Sequence, residues 1–258
     1  METALIFAGL GLLAGVLLTV ASKLFEVKVD ERVIEITAAL PGVNCGSCGF
    51  AGCSDYAEAV AGGASPNLCK PGGQESADII AGIMGIASGK IEAMTAVVHC
   101  NGSCNVTEKK FDYKGVQSCK AANRFYNGSE SCTYGCLAYG DCVKVCPETA
   151  ISIIDRLAVI DKTRCIGCGM CAKVCPDGII KLRPLGFDYD VACSSHDSGK
   201  FVRTACKAGC IACKICEKNC PEGAIKVEDN LAVIDYDKCT SCGLCADKCP
   251  AKVIKKCG

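Results

Sequence analysis

The longest apolar stretch of the chain lies near its N-terminus. Residues Ala4 to Ser22 form a run of nineteen without a charged side chain, close to the roughly 20 apolar residues that cross a bilayer as a helix. The alternatives are a cleaved signal peptide and a buried core helix. A signal peptide opens with positive charge, but here Lys23 and Lys28 follow the run instead. The pattern predicts a retained single-pass anchor over residues 1–24 in the cell (inner) membrane, with the rest of the chain on the cytoplasmic side.

Shorter patterns follow the anchor. Charged and β-branched residues alternate in VKVDERVIEIT at 27–37, which predicts a short juxtamembrane strand or linker. SDYAEAVAGG at 54–63 is typical of a short helix that ends at two glycines. Apolar residues at 79, 80, 83, 84 and 86 predict another helix, which packs in the core or serves as a connector. TAVVHC at 95–100 predicts a strand that leads to His99, which we expect to be a partly buried structural residue rather than a ligand.

Composition changes the picture, because 26 of the 258 residues are cysteine. Such a density in a short secreted chain indicates disulfides, and separated CxxC pairs indicate zinc. Neither fits the regular cysteine runs described below. A chain of reduced thiolates belongs in a reducing compartment that faces the cytosol. The 28 basic and 28 acidic residues cancel, which gives no basic footprint for nucleic acid.

Three runs of four cysteines share the spacing C-x2-C-x2-C-x3-C and end in proline. They begin at Cys165, Cys210 and Cys239. In bacterial ferredoxins three thiolates of such a run hold one [4Fe–4S] cluster, and the fourth reaches the partner cluster. This rule predicts three ligand sets: Cys146, Cys165, Cys168 and Cys171; Cys210, Cys213, Cys216 and Cys249; and Cys220, Cys239, Cys242 and Cys245.

The region that holds these runs is a tandem duplication. A shift of 74 residues lays Cys119 on Cys193 and Cys132 on Cys206, and it lays the spacer LAVID at 157–161 on its copy at 231–235. Each spacer predicts a short hairpin between two cluster-binding loops. Tyr139 replaces the counterpart of Cys213, so Cys132 is the predicted substitute ligand. The fourth predicted set is Cys132, Cys136, Cys142 and Cys175.

A fifth set lies nearer the N-terminus. The spacing C-x2-C-x4-C-x15-C joins Cys45, Cys48, Cys53 and Cys69, which is enough for one further cluster. Glycines at 46, 49 and 52 let the backbone wrap closely around such a cluster. The cysteines left over are Cys100, Cys104, Cys119, Cys193, Cys206 and Cys257. They are either buried thiols, or the first five contribute to a sixth cluster, and both hypotheses stay open.

The segment CGSCGFAGCSDYAEAVAGG…CKPGG, which lies between an apolar helix and ferredoxin motifs, resembles the B subunits of the Rnf (also Rsx) electron-transport complexes. The resemblance covers nearly the whole chain and is most distinctive from Cys45 to Gly73. It implies a subunit that accepts electrons from reduced soluble ferredoxin and passes them to other subunits in the membrane. Those subunits couple NAD⁺ reduction to translocation of Na⁺ or H⁺, so the enzyme activity belongs to the complex.

Two alternatives remain at this point: an electron-transfer subunit of another membrane oxidoreductase, and a non-redox iron–sulfur protein. The chain shows no catalytic triad, P-loop or dinucleotide-binding motif, so we expect an electron carrier without a substrate-converting site. The predicted fold class is α+β, with five [4Fe–4S] clusters and a sixth left open. The predicted parts are an anchor (1–24), a linker (25–40), a four-cysteine domain (41–75), a connector (76–118) and two ferredoxin-like modules (119–184 and 185–258).

Overall fold

In the computed structural model, residues 2–25 and 30–256 are described. The N-terminal part consists of four helices: α1 (Glu2–Leu24), α2 (Glu31–Ala39), α3 (Cys53–Ala61) and α4 (Gly73–Met84). The apolar run forms α1, a helix of 23 residues, whose side chains from Leu10 to Val20 are largely exposed. Within residues 2–25 and 30–256, no helix is both long enough and apolar enough to span a membrane.

The segment predicted as a strand or linker contains a helix instead. The Asp30 side chain caps α2 by accepting a hydrogen bond of 3.0 Å from the Arg32 amide. Val33, Ile36 and Leu40 recur at helical spacing, and Ile36 and Leu40 are buried against α3 and α4. The prediction of a strand was wrong because the short alternation also carries this helical face, and tertiary packing selects the helix. Residues 26–29 of the segment lie outside the described residues.

The two helices predicted after α2 are confirmed. Gly62 caps the C-terminus of α3, and Gly85 caps that of α4 in the left-handed conformation with φ 66°. Ile80 is buried in the core shared with α2, whereas Ile79 and Ile86 are exposed. Not every apolar residue of this segment packs in the core, because the helix turns Ile79 outward and ends before Ile86.

The rest of the chain forms two units with one plan. The first contains β1 (Met94–Val98), α5 (Cys119–Asn123), α6 (Asp141–Lys144), β2 (Ile151–Ile154), β3 (Leu157–Ile160), α7 (Met170–Val174) and β4 (Ile180–Pro184). The second contains β5 (Tyr189–Val191), α8 (Gly199–Ala205), α9 (Ile215–Asn219), β6 (Ile225–Glu228), β7 (Leu231–Ile234), α10 (Leu244–Asp247) and β8 (Ile254–Lys256). In each unit a central hairpin, β2–β3 or β6–β7, is accompanied by a second antiparallel pair, β1–β4 or β5–β8.

The hairpin predicted for each spacer is confirmed, and its turn repeats as well. Asp155 and Arg156 in one hairpin, and Asp229 and Asn230 in the other, all have positive φ. Two consecutive residues of this kind form the tight turn that matches the twist of paired strands. The duplication therefore extends to backbone conformation.

The first unit begins earlier than the predicted module boundary, because β1 pairs with β4. The pair β1–β4 is equivalent to the pair β5–β8. The last residue of β1, Val98, pairs with Ile180, and the last residue of β5, Val191, pairs with Ile254. A cysteine follows two residues after each of the strands β1 and β5, namely Cys100 and Cys193. The structural counterpart of Cys193 is therefore Cys100 rather than Cys119, since the first unit carries 31 residues between Cys100 and Cys132, where the second carries 12 between Cys193 and Cys206.

A buried ion pair joins the two units where β4 leads into β5. Arg183 Nε lies 2.8 Å from Asp190 Oδ1, and each side chain is 2% exposed. Tyr236 Oη donates to Asp190 Oδ1 at 2.5 Å, and its ring lies beside the Arg183 guanidinium. Because burial of an ion pair is tolerated only with close pairing and further hydrogen bonds, this arrangement fixes how the two units meet.

Candidate iron–sulfur sites

The N-terminal helices bring together the four cysteines predicted there. Cys45 and Cys48 lie in the loop before α3, Cys53 begins α3, and Cys69 precedes α4. Burial raises the pKa of the Cys69 thiol, and the thiolates of the other three raise it further. Cys48 and Cys53 also pack against Cys69 in the core of this part of the chain.

Backbone geometry shapes this site. Asn44 Oδ1 accepts a hydrogen bond of 2.8 Å from the Cys53 amide, which ties the loop to the start of α3. Gly46 and Gly49 adopt positive φ, as expected for a closely wrapped loop. Gly72 has a different constraint, since a Cβ there would lie 2.6 Å from Ser76 Oγ and 3.2 Å from Cys69 Sγ.

Tyr56 holds the segment that leads to Cys69. Its ring is 1% exposed, and its hydroxyl donates to Ser65 O at 2.8 Å and accepts from the Leu68 amide at 3.1 Å. Ser76 Oγ in turn donates to Ala39 O at 2.8 Å, which joins α4 to α2. These part-buried hydrogen bonds position the segment that carries Cys69.

Each run that ends in Cys-Pro contributes to a cavity lined by one predicted ligand set. The three lining sets are Cys146, Cys165, Cys168 and Cys171; Cys210, Cys213, Cys216 and Cys249; and Cys220, Cys239, Cys242 and Cys245. The fourth cysteine of each set comes from the other half of its unit, as the ferredoxin rule requires. The structure therefore brings together the residues of all three sets.

Backbone amides point at the sulfurs of these sets. The amide of Ala150 lies 3.3 Å from Cys146 Sγ, and its repeat counterpart at Ala224 lies 3.3 Å from Cys220 Sγ. The Ser241 amide lies 3.4 Å from Cys239 Sγ. Such N–H donors stabilise thiolates and tune the potential of a bound cluster.

The altered loop lies beside a different cysteine from the one predicted for it. The thiol of Cys142 has its pKa raised to about 12, first by burial and then by the thiolates of Cys136, Cys119 and Cys175. Cys119 therefore lies near the other cysteines of this loop, whereas Cys132 lines the cavity described below. Spacing along the chain favoured Cys132, but the longer segment of the first unit returns Cys119 to the place that Tyr139 leaves without a ligand.

The start of α5 is fastened beside this set. Ser118 Oγ donates to Asp141 Oδ2 at 2.8 Å, and the Lys120 amide donates to the same oxygen at 3.1 Å. Tyr139 packs edge-on against Tyr113, with ring centroids 5.8 Å apart. Cys119 is therefore held at the N-terminus of α5 by bonds to α6, while Tyr139 packs in an aromatic cluster.

The remaining cysteines divide into three groups. Four of them, Cys100, Cys132, Cys193 and Cys206, line a separate cavity. Cys104 is exposed, and its amide donates to Asp155 O at 2.9 Å. Cys257 lies outside the described residues. Of the five cysteines considered for a sixth site, Cys104 and Cys119 do not line this cavity.

His99 is partly buried where the two units meet. Its Nδ1 lies 2.8 Å from Val191 O, and its backbone amide donates to Ile179 O at 2.7 Å. Burial lowers the pKa of its imidazole. These contacts give His99 the structural position expected for it.

The thiols differ in their access to solvent. Cys213 and Cys242 of the second unit are exposed, whereas every cysteine that lines a candidate cluster site in the first unit is buried or half-buried. Within the part of the chain that the structure describes, no group of His, Cys, Asp or Glu side chains is arranged around a single metal ion. Ligands of a cubane need not converge on one atom, because each thiolate binds a different iron.

Neighbouring sites contact one another. Lys173 Nζ in α7 donates to Cys45 O at 2.7 Å. Burial raises the pKa of Cys168, and the Cys45 thiolate raises it further. The Cys171 thiolate likewise adds to the raised pKa of Cys142. The N-terminal site is therefore adjacent to one site of the first unit, which is adjacent to the next.

Family models match three parts of the chain. A model described as "Putative Fe-S cluster" matches residues 40–71, a 4Fe-4S binding domain matches residues 158–181, and a 4Fe-4S dicluster domain matches residues 209–253. These ranges cover the N-terminal site, part of the first unit and most of the second.

Three curated proteins are similar over most of the chain. The B subunit of the Na⁺-translocating ferredoxin:NAD⁺ oxidoreductase complex of Acetobacterium woodii is 43% identical, over 89% of this chain and 69% of that protein. The B subunit of the proton-translocating complex of Clostridium ljungdahlii is 46% identical, over 90% and 83%. The B subunit of the ion-translocating oxidoreductase complex of Methanosarcina acetivorans is 42% identical, over 92% and 90%.

Proposed function

Because the chain belongs to the family of B subunits of ion-translocating ferredoxin:NAD⁺ oxidoreductase complexes, we propose that it relays single electrons along its own length, from reduced ferredoxin toward the membrane subunits. The chain is an iron–sulfur electron-transfer subunit of such a complex, and it carries [4Fe–4S] domains. Reduction of NAD⁺ and translocation of the ion belong to the whole complex.

The observation that carries the relay is the contiguity of the cysteine sites. The proposed ligand sets are Cys45, Cys48, Cys53 and Cys69; Cys146, Cys165, Cys168 and Cys171; Cys119, Cys136, Cys142 and Cys175; Cys210, Cys213, Cys216 and Cys249; and Cys220, Cys239, Cys242 and Cys245. When bound, [4Fe–4S] clusters accept and release one electron at a time, at potentials set by hydrogen bonds, charge and exposure. The residues fit this cofactor, because the thiols surround cavities and backbone amides point at their sulfurs.

The proposal includes a membrane anchor formed by the N-terminal helix. A helix of 23 residues rises about 35 Å, which exceeds the ~30 Å hydrocarbon core of a bilayer. No charged residue lies between Thr3 and Ser22, and Lys23 follows. These features support an anchor that holds the cysteine sites on the cytoplasmic side, beside the other subunits of the complex and accessible to soluble ferredoxin.

We expect reduced ferredoxin to reduce the anaerobically purified chain. The visible absorption of the clusters should bleach on addition of reduced ferredoxin, and electron paramagnetic resonance should then show reduced [4Fe–4S] clusters, because these centres accept single electrons. A sample reduced by dithionite gives the full signal for comparison. Bound iron that neither reductant reduces would contradict the relay and would favour a structural role.

The proposed role of Cys119 has its own test. Cys119→Ala should remove one cluster, a loss of about 4 Fe per chain, because the altered loop then retains three of its four thiols. Adding Tyr139→Cys to that variant should restore the iron, since Tyr139 occupies the place of Cys213 in the repeat. Iron is measured in chain purified without oxygen.

The exposed thiol of Cys104 provides the control for this test. Cys104→Ala should keep the iron content of the unmodified chain, because Cys104 belongs to none of the proposed ligand sets. An unchanged iron content in Cys119→Ala would assign the fourth ligand of this loop to another residue.

A further inference from the structure

A cavity lies between the two ferredoxin-like units. Four cysteines without another assignment line it: Cys100, Cys132, Cys193 and Cys206. Cys136, which belongs to a ligand set of the first unit, also contributes to its wall. A single zinc ion draws its four thiolates to within about 2.3 Å of one point, but no group of side chains in residues 2–25 and 30–256 converges on a single metal ion in this way.

The two units contribute equivalent pairs of cysteines to this cavity. Cys100 and Cys193 each follow the strand that begins their unit. Cys132 and Cys206 are related by the 74-residue repeat, and each opens a Cys-x2-Gly-Cys motif. The glycines of both motifs also line the cavity. The duplication has therefore preserved two ligand positions per unit, which combine into four only where the units meet.

Backbone amides surround two of these sulfurs as they do in the other sets. Cys100 Sγ lies 3.3 Å from the Gly102 amide and 3.4 Å from the Cys136 amide. Cys193 Sγ lies 3.5 Å from the Ser195 amide and 3.3 Å from the Cys210 amide. The donor two residues after the cysteine repeats the contact between Ser241 and Cys239. Paired N–H donors favour an anionic sulfur over a neutral thiol.

The burial of these thiols matches that of the thiols in the ferredoxin-type runs. Cys193 is buried, and Cys100, Cys132 and Cys206 are half-buried. The cysteines of the candidate sets in the first unit are likewise buried or half-buried.

We propose that Cys100, Cys132, Cys193 and Cys206 together hold a further [4Fe–4S] cluster that both units share. This proposal rests on the relay function argued above. It replaces Cys104 and Cys119, which the sequence suggested for a sixth cluster, with Cys132.

The position of this site gives it a role in the relay. Cys136, whose amide donates to Cys100 Sγ, belongs to a ligand set of the first unit. Cys210, whose amide donates to Cys193 Sγ, belongs to a ligand set of the second unit. A single peptide thus separates the shared site from a neighbouring site on each side. The shared site joins the cluster sites of the two units into one continuous series.

The test compares variants from both units in the full chain purified without oxygen. Iron, acid-labile sulfide and zinc are measured per chain. We expect about 24 Fe in the unmodified chain and about 20 Fe in Cys132→Ala and in Cys206→Ala, since each variant loses one cluster of four irons. Cys104→Ala is the control and should keep about 24 Fe. In a redox titration, both variants should accept one electron fewer than the control.

Four outcomes would overturn the proposal. The first is about 20 Fe in the unmodified chain, and the second is an unchanged iron content in both variants. The third is one zinc per chain that Cys206→Ala removes. The fourth is that each variant loses iron only from the ligand sets of the unit that carries the substitution. The resonance signals of the other sets identify that last case, because a merely structural defect affects its own unit. Five reducible clusters would leave the relay function intact, whereas iron that accepts no electrons would contradict the relay itself.

Discussion

Replacing Cys48 with Ala is expected to abolish NAD⁺ reduction by reduced ferredoxin in membranes that contain the assembled complex. Cys48 belongs to the N-terminal set, the candidate site nearest in sequence to α1 among the described residues. This set is adjacent to the site that contains Cys168, because Lys173 of that site's helix α7 donates a hydrogen bond to Cys45 O. In the proposed relay, loss of this set interrupts the series of sites between the ferredoxin-like units and the membrane subunits. The measurement is NADH formation with reduced ferredoxin as the donor.

Two further readouts separate this effect from misfolding. The purified Cys48→Ala chain should lose about 4 Fe, while the remaining clusters stay reducible by ferredoxin, because the two units fold around their own cores. Cys104→Ala, assembled in the same way, should reduce NAD⁺ like the unmodified complex. Full NAD⁺ reduction by a Cys48→Ala complex that lacks this iron would show that electrons take another route.

Replacing Asp190 with Ala is expected to destabilise the chain by about 3–5 kcal/mol, the usual cost of leaving one partner of a buried ion pair without the other. Arg183 would lose the carboxylate that lies 2.8 Å from its Nε. Tyr236 Oη would lose its acceptor as well. The measurement is anaerobic urea unfolding, followed by far-ultraviolet circular dichroism and by the visible absorption of the clusters.

A surface pair on the same unit provides the control. Asp188 lies 3.8 Å from Lys256, and both side chains are more than half exposed, so Asp188→Ala should cost no more than about 1 kcal/mol. Replacing both Arg183 and Asp190 with apolar residues should recover part of the loss, since no buried charge then remains. Equal urea midpoints for Asp190→Ala and Asp188→Ala would show that the buried pair does not hold the units together.

Sequence reasoning predicted the sites whose ligands are close together in the chain. The runs from Cys165, Cys210 and Cys239 specify their own loops, because a fixed spacing with a following proline fixes a local backbone path. The spacer hairpins followed for the same reason, since their turns and alternating strands are local. α2 was missed because a few residues supported both a strand and a helix, and only packing on Ile36 decides between them.

The sites that depend on an insertion could not be predicted in this way. A shift without gaps aligned Cys119 with Cys193 and hid the correspondence between Cys100 and Cys193. The signal was present at the strand ends, because the valine that precedes Cys100 by two residues repeats before Cys193. The pairing of β1 with β4 shows that Cys100 is the counterpart of Cys193. With this alignment, Cys119 lies beside the altered loop and Cys132 lines the cavity between the units.

The cysteine sites of the two units differ in their exposure to solvent. Cys213 and Cys242 leave the sites of the second unit open to water, while the first unit covers its own. An electron centre that water reaches can also be reached by a soluble protein, by oxygen and by chelators. Oxidative damage to clusters and loss of electrons to oxygen should therefore be concentrated at the sites of the second unit. Electrons on the buried sites of the first unit should leave mainly by transfer to the next site in the series.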